Sequence, residues 1–465
     1  MIFFILFIIL LGYAIYSYNN DNKKVGVLVY FFFVSNGFYL IPDSVIEGYP
    51  INKLIDFGTL YLIFVTCRIY FTQKHRFRKL EIELKWWKWL FFYLTFSFLW
   101  TIALGKELFG MSLAMYRTYF CFLSFILFQD LKLEDLKWIF KKVILITTIA
   151  TILYVLQPFI GMKTLSTGGG ISEEAGTFRY RNIPYLTYFL LIYYTITLKF
   201  SSWKRIILLL LCIVSLILTQ HRGIMLGYAI SILIYLLLER KMQKALQFGI
   251  IGLIVFMALG DLIFTRFKQA DTGSDFKALT NLNYKNLDIE NDNEGGTLTF
   301  RILLLTERGE YLLHNPAYTL QGVGMRHEDS PKTQKEFNFI LGSLKKKGNE
   351  WTKEQITTGD LVWMTPLIKF GFIGISLYLI VTLFMSSFFF RNKNNGTLIQ
   401  IAFYYYLLLI IISFKNDQLF SPIHLFMIFL LHRITCKMEL LAICKRHNIN
   451  KKTNEDFHSD ILQRR

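Results

Sequence analysis

Five arginines carry the chemistry this sequence offers most plainly: Arg179, Arg181, Arg222, Arg301 and Arg308. A guanidinium stays charged at physiological pH, and its planar fork of donors matches two phosphate oxygens at once. Arg222 stands in "TQHRG" (219–223), beside His221, between two apolar runs with room for barely a turn. Charge inside a membrane boundary is costly and usually functional. Taken singly, each arginine reads equally well as a side chain snorkelling to the interface, so phosphate binding rests on several acting together. For moving a proton, Asp360 is the first candidate base and His314 the second. Asp360 suits a helix N-cap or first-turn acid equally well, and His314, just before Asn315 and Pro316, suits a turn. His221 either orients Arg222 or faces headgroups. His327 with Glu328 and Asp329 hints at metal ligation, but no second histidine stands at ligand spacing. A solvated loop is expected there, and neither metal nor cofactor.

Those residues must be positioned by a chain of 465 residues that is 54% hydrophobic and 17% aromatic, with mean hydropathy +0.40. Its apolar runs are too long for a soluble core. They predict an all-α polytopic membrane protein, because a helix satisfies its own backbone polar groups inside the hydrocarbon layer. Candidate spans lie near 2–18, 25–42, 54–72, 86–104, 110–128, 143–161, 184–198, 206–219, 223–238, 245–264, 365–388, 397–414 and 419–435, roughly thirteen helices by the length rule. Residues 1–18 lack a basic start and a small-residue cleavage site, and are expected as a retained helix.

The formal net charge is +18, yet its placement argues against nucleic acid. Lysine and arginine cluster at 74–88, 132–142, 199–205, 239–244, 391–393 and from Lys437 onward, which are alternate loops. The positive-inside rule makes these cytoplasmic and puts the N-terminus outside. The expected organisation is N-terminal transmembrane helices over 1–264 with an external loop at 162–183. A large extracytoplasmic loop domain follows over 265–364, then C-terminal transmembrane helices over 365–436 and a basic cytoplasmic tail over 437–465. Within the large loop, Leu304, Leu305, Leu312 and Leu313 recur at helical spacing, and Arg301 and Arg308, seven residues apart, share one face of that helix. Arg117 inside a span is expected to extend a phosphate site or to pair with Asp56 or Asp261. Lys369, Arg68 and Arg433 are expected to snorkel. The five cysteines show no metal or disulfide spacing.

The "TQHRG" turn, then "HNPAYTLQGVGM" (314–325), then "GDLVWMTPLIKFGFIG" (359–374) entering the next span, resembles the O-antigen ligase/polymerase superfamily over roughly 175–385. The resemblance implies a glycosyltransferase of type C architecture that takes a polyprenyl-diphosphate-linked glycan on the outer face of the bacterial cytoplasmic membrane. By position, Arg222 matches the turn arginine, Arg179 or Arg181 that of the earlier external loop, and Arg301 the one opening the large loop. Ligases carry histidine where this chain has Asp360, eleven residues ahead of Gly371. That departure favours a polymerase of O-antigen, capsule or exopolysaccharide repeat units. Implied partners are the undecaprenyl-type lipid-linked oligosaccharide and membrane lipids, with a flippase and chain-length regulator in the same system. The rival readings are an O-antigen-type ligase and a polysaccharide transporter or flippase.

Overall fold

The computed structural model describes residues 2–20, 22–42, 45, 53–72, 80–160, 164–165, 171–174, 177–180, 183–199, 201–241, 243–253, 257, 260, 297–342, 344–347, 350–358 and 361–440. Over these the chain is helical, with two short antiparallel hairpins, Ile171–Glu174 with Thr177–Tyr180 and Leu344–Lys347 with Glu350–Lys353. The hairpins are an addition to the all-α expectation.

Among the described residues, six helices are long and apolar enough to cross a membrane: Ile2–Asn19, Leu54–Thr72, Phe109–Phe128, Leu133–Ile160, Arg222–Glu239 and Met364–Asn395. The protein is therefore a multi-pass helical membrane protein. Of the other expected spans, much of 245–264 lies outside the described residues, and several helices are short. Trp203–Leu218 has 16 residues, a rise of about 24 Å against a hydrocarbon layer of about 30 Å, while Thr187–Thr197 and Thr397–Ile412 are apolar but likewise short.

One set of helix ends is tied together by charge. Lys23 pairs with Asp130 at 3.3 Å, Lys393 with Glu239 at 2.8 Å and Arg391 with Glu83 at 3.5 Å. Arg433, expected to snorkel, instead donates to Glu81 at 2.9 Å and to the Gln129 carbonyl at 2.8 Å. Arg68 lies over the Tyr18 ring. Nearer the other end, Arg117 pairs with Asp56 at 2.9 Å, which selects one of its two expected partners; Asp261 lies outside the described residues.

The opposite end is organised around a break. Helix Met364–Asn392 is interrupted at Gly371, with φ 61° and ψ −161°. A break there deprives the carbonyls of Ile368, Lys369 and Phe370 of the donors four residues ahead. A strap, residues 320–326, replaces them. Val323 N–H donates to Ile368 O at 2.9 Å and Gly324 N–H to Lys369 O at 2.8 Å, while Tyr93 Oη donates to Phe370 O at 2.7 Å. Ile373 N–H, which would have reached Lys369, goes to Leu320 O at 3.1 Å. The strap's other edge is held by Thr101, whose Oγ1 accepts from Met325 N–H, and by Ser112, whose hydroxyl donates to Met325 O, both at 2.8 Å.

This closeness requires glycine. A Cβ on Gly322 (φ +68°) would stand 2.5 Å from Gly371 N and Lys369 O, and one on Gly371 would stand 2.5 Å from Leu320 O and 2.6 Å from Gly322 N. Those are backbone atoms that cannot swing aside. Gly322→Ala or Gly371→Ala should therefore cost about 2–4 kcal/mol and lower the melting temperature of the purified protein. Gly110→Ala, where nothing lies within 4 Å, should change stability by less than about 1 kcal/mol; equal effects at all three positions would remove the strap account.

Candidate functional site

The "TQHRG" turn joins helix Trp203–Leu218 to helix Arg222–Glu239. Gln220 takes a left-handed conformation (φ 50°), and His221 is the N-cap, its carbonyl accepting from Ile224 at 2.9 Å and Met225 at 3.2 Å. Thr219 Oγ1 accepts the His221 N–H at 3.2 Å. Arg222, half-buried, is thus the first residue of its helix. Gly223 has a separate role: the stem of Lys415 occupies the place a Cβ would take. The turn arginine and Lys415 therefore stand at one corner, although they are far apart in the chain.

The corner is coupled to the broken helix through Ser413. Val362 N–H donates to Ser413 O at 3.3 Å and Trp363 Nε1 donates to Ser413 Oγ at 3.0 Å, two hydrogen bonds just ahead of the helix that carries Lys369. Asp360 and Arg181 lie outside the described residues. Arg179 is placed only by its backbone, opposite Ser172 in the first hairpin. That strand packs against helix Trp203–Leu218 and is anchored by Tyr154 Oη donating to Tyr180 O at 2.6 Å.

Arg308 does not present its fork to a ligand. Its side chain is 0% exposed, and Nη2 donates to Leu341 O at 2.6 Å and to Gln355 O at 3.0 Å, while Nη1 pairs with Glu307. The Phe339 ring lies 4.0 Å below the guanidinium. Burial pulls its pKa down to about 10, against the opposing pull of Glu307 and Glu328, so it remains charged near neutrality. Arg301 is buried on the same helix, Thr297–His314, which agrees with the shared face. His314 is exposed in the last turn, with Nδ1 at 2.8 Å from Glu310 O, the geometry of a helix end.

The stretch around His327, expected as solvated loop, is mostly interior. Arg326 is 1% exposed and grips Glu336 with both arms, at 2.5 and 3.1 Å. Burial works to raise the Glu336 carboxyl, but the Arg326 fork and the Tyr318 hydroxyl hold it below the usual carboxylate range. Glu328 collects the N–H groups of Gln355, Ile356 (3.0 Å) and Thr357 (2.9 Å), as Glu307 collects Ile340 at 2.6 Å and Leu341 at 3.1 Å. Glu107 accepts from Ser330 Oγ at 2.7 Å and His327 N–H at 3.2 Å. Three buried carboxylates thus do for irregular loops what a helix does for itself, giving backbone donors an acceptor away from water. His327 accepts the Asp329 N–H at its Nδ1, and burial together with the nearby Lys369 ammonium lowers its pKa, against the pull of Asp329. Among the described residues no group of three His, Cys, Asp or Glu side chains could hold a metal ion.

Lys369 departs furthest from expectation. It does not snorkel, because it is 0% exposed. Neither it nor Lys415 was selected by the spacing arguments, since each acquires its setting from partners far away in the chain.

Arg308→Ala should leave Glu307 buried without its cation and the Leu341 and Gln355 carbonyls without a donor, at a cost of about 3–5 kcal/mol. The measurement is melting temperature and folded yield; a stable variant that has lost only catalytic turnover would return Arg308 to the substrate.

A model of the O-antigen ligase family matches residues 207–379. No curated protein matches the chain. The matched stretch takes in the "TQHRG" turn, helix Thr297–His314, the strap and the break at Gly371. Over that stretch the chain is similar to the O-antigen ligase family.

Proposed function

We propose that the protein is a polymerase of bacterial surface polysaccharide, O-antigen, capsule or exopolysaccharide, transferring a polyprenyl-diphosphate-linked glycan onto a second lipid-linked repeat unit. The observation that carries this reading is the O-antigen ligase match falling on the turn that carries Arg222 and on the break at Gly371. A hydroxyl of the acceptor sugar attacks the anomeric carbon of the donor. The new glycosidic C–O bond forms as the bond to the diphosphate breaks, and the polyprenyl diphosphate leaves with its electron pair. Arg222, with Lys415 beside it, neutralises the charge developing on that leaving group, and Arg179, Arg181 and Arg301 are proposed to complete the anion site. The hydroxyl proton goes to Asp360, or to His314 as the second candidate.

The proposed frame is the thirteen-span arrangement, with the shorter helices crossing by virtue of their flanking turns. The membrane is the bacterial cytoplasmic one, the strapped end faces outward and the charge-tied ends face the cytoplasm. The unit boundaries follow the sequence: 1–264 with the loop at 162–183, then 265–364, 365–436 and the tail 437–465. Lipid-linked oligosaccharide is the substrate partner, and a flippase and a chain-length regulator act before and beside it.

The family description as a ligase favours a second reading, transfer to a lipid or protein acceptor. The group found at the product's reducing end separates the two. Purified protein supplied with lipid-linked repeat units should lengthen them. Arg222→Ala should slow extension by about 100-fold or more while leaving membrane insertion intact; full activity in that variant would remove its assigned role, and no transfer by the wild type to any acceptor would remove the enzyme reading.

A further inference from the structure

The side chain of Lys369 is completely buried, and among the described residues its Nζ has no hydrogen-bond partner. The Lys369 main chain is occupied, since its carbonyl accepts from the strap at Gly324. An ammonium withdrawn from water in this way is destabilising unless something supplies the opposite charge. Glu328 is the acid whose field reaches Nζ, yet both its oxygens are committed, one to Gln355 N–H and the other to Ile356, Thr357 and the Thr357 hydroxyl. The same break opens a second positive feature. From Gly371 onward the helix runs to Asn392, so the partial positive charge of a long helix N-terminus begins two residues beyond the ammonium; one of its first N–H groups, that of Ile373, is taken by Leu320.

We infer that Lys369 is a further binding residue of the proposed site, its ammonium receiving a phosphate oxygen of the lipid-linked donor at the break in helix Met364–Asn392. The inference rests on the polymerase or ligase reading above. A neutral sugar hydroxyl would give Nζ a hydrogen bond but leave its charge uncompensated, so the ligand group is an anion. Lysine acts on phosphate as a point charge, which suits a position reached from a single direction.

The inference separates a binding role from a structural one by sign. Removing an ammonium that has no partner leaves the ligand-free protein as stable as before, or more so, whereas removing one that holds the strap would weaken it. The test uses the purified full-length protein and its Lys369→Met variant, with melting temperature measured over titrations of inorganic pyrophosphate and of farnesyl diphosphate. The expected result is an unchanged or raised ligand-free melting temperature in Lys369→Met, with affinity for both probes weakened about tenfold or more. In the wild type, farnesyl diphosphate should bind more tightly than pyrophosphate, as a lipid-linked source requires. Equal affinities would assign the site to a free anion and overturn the inference. So would wild-type affinity in Lys369→Met, a lowered ligand-free melting temperature, or no binding of either probe to the wild type. Extension of lipid-linked repeat units, followed in parallel, keeps the two claims apart: a wild type that extends them while Lys369→Met binds normally retains the polymerase and loses only the lysine's role.

Discussion

A backbone that stops being helical at the depth of a membrane must find new partners for its polar groups, and the break at Gly371 imposes that demand on this fold. Three carbonyls are released, and the strap with Tyr93 answers each of them, while the freed Ile373 N–H goes to Leu320 O. The strap then needs its own outer edge satisfied, which draws in Thr101 and Ser112 from two other helices. One interruption thus fixes the relative position of four separate stretches of chain. It also explains why glycines occur in pairs here, since Gly322 and Gly371 approach each other where neither could carry a side chain.

The segment above the break is organised by the same rule with charge added. Glu107, Glu307 and Glu328 are buried, and each spends its oxygens on N–H groups or hydroxyls of irregular loops. Arg308 supplies the complement by donating to loop carbonyls. A charged pair in such a place contributes little net stability, but it admits few alternative arrangements of the loops it holds. Among the cations proposed for chemistry, Arg222 with Lys415 stands at the corner and Lys369 at the break. Their positions are set by groups that take no part in the proposed reaction: Ser413, Gly223 and the strap.

Much of this was legible in the sequence, and the parts that were not share a cause. Apolar run length located the helices, and the spacing of Arg301 and Arg308 correctly put both on one helix face. Periodicity cannot say whether that face meets a ligand or the protein's own carbonyls, and Arg308 meets the carbonyls. Glu328 looked like a solvated loop acid because the amides it collects lie about thirty residues further on. Lys369 invites a snorkelling reading because its burial comes from tertiary packing that hydropathy does not reveal.

Hydrogen exchange of the backbone amides of Val323 and Gly324 in the membrane-embedded protein tests the strap most directly. Their exchange should be as slow as that of helix Thr397–Ile412, because each N–H is bonded to a carbonyl of the broken helix in the interior. Exchange at the rate of an open loop would mean that the released carbonyls find other partners, and the account of how this end of the protein is assembled would be wrong.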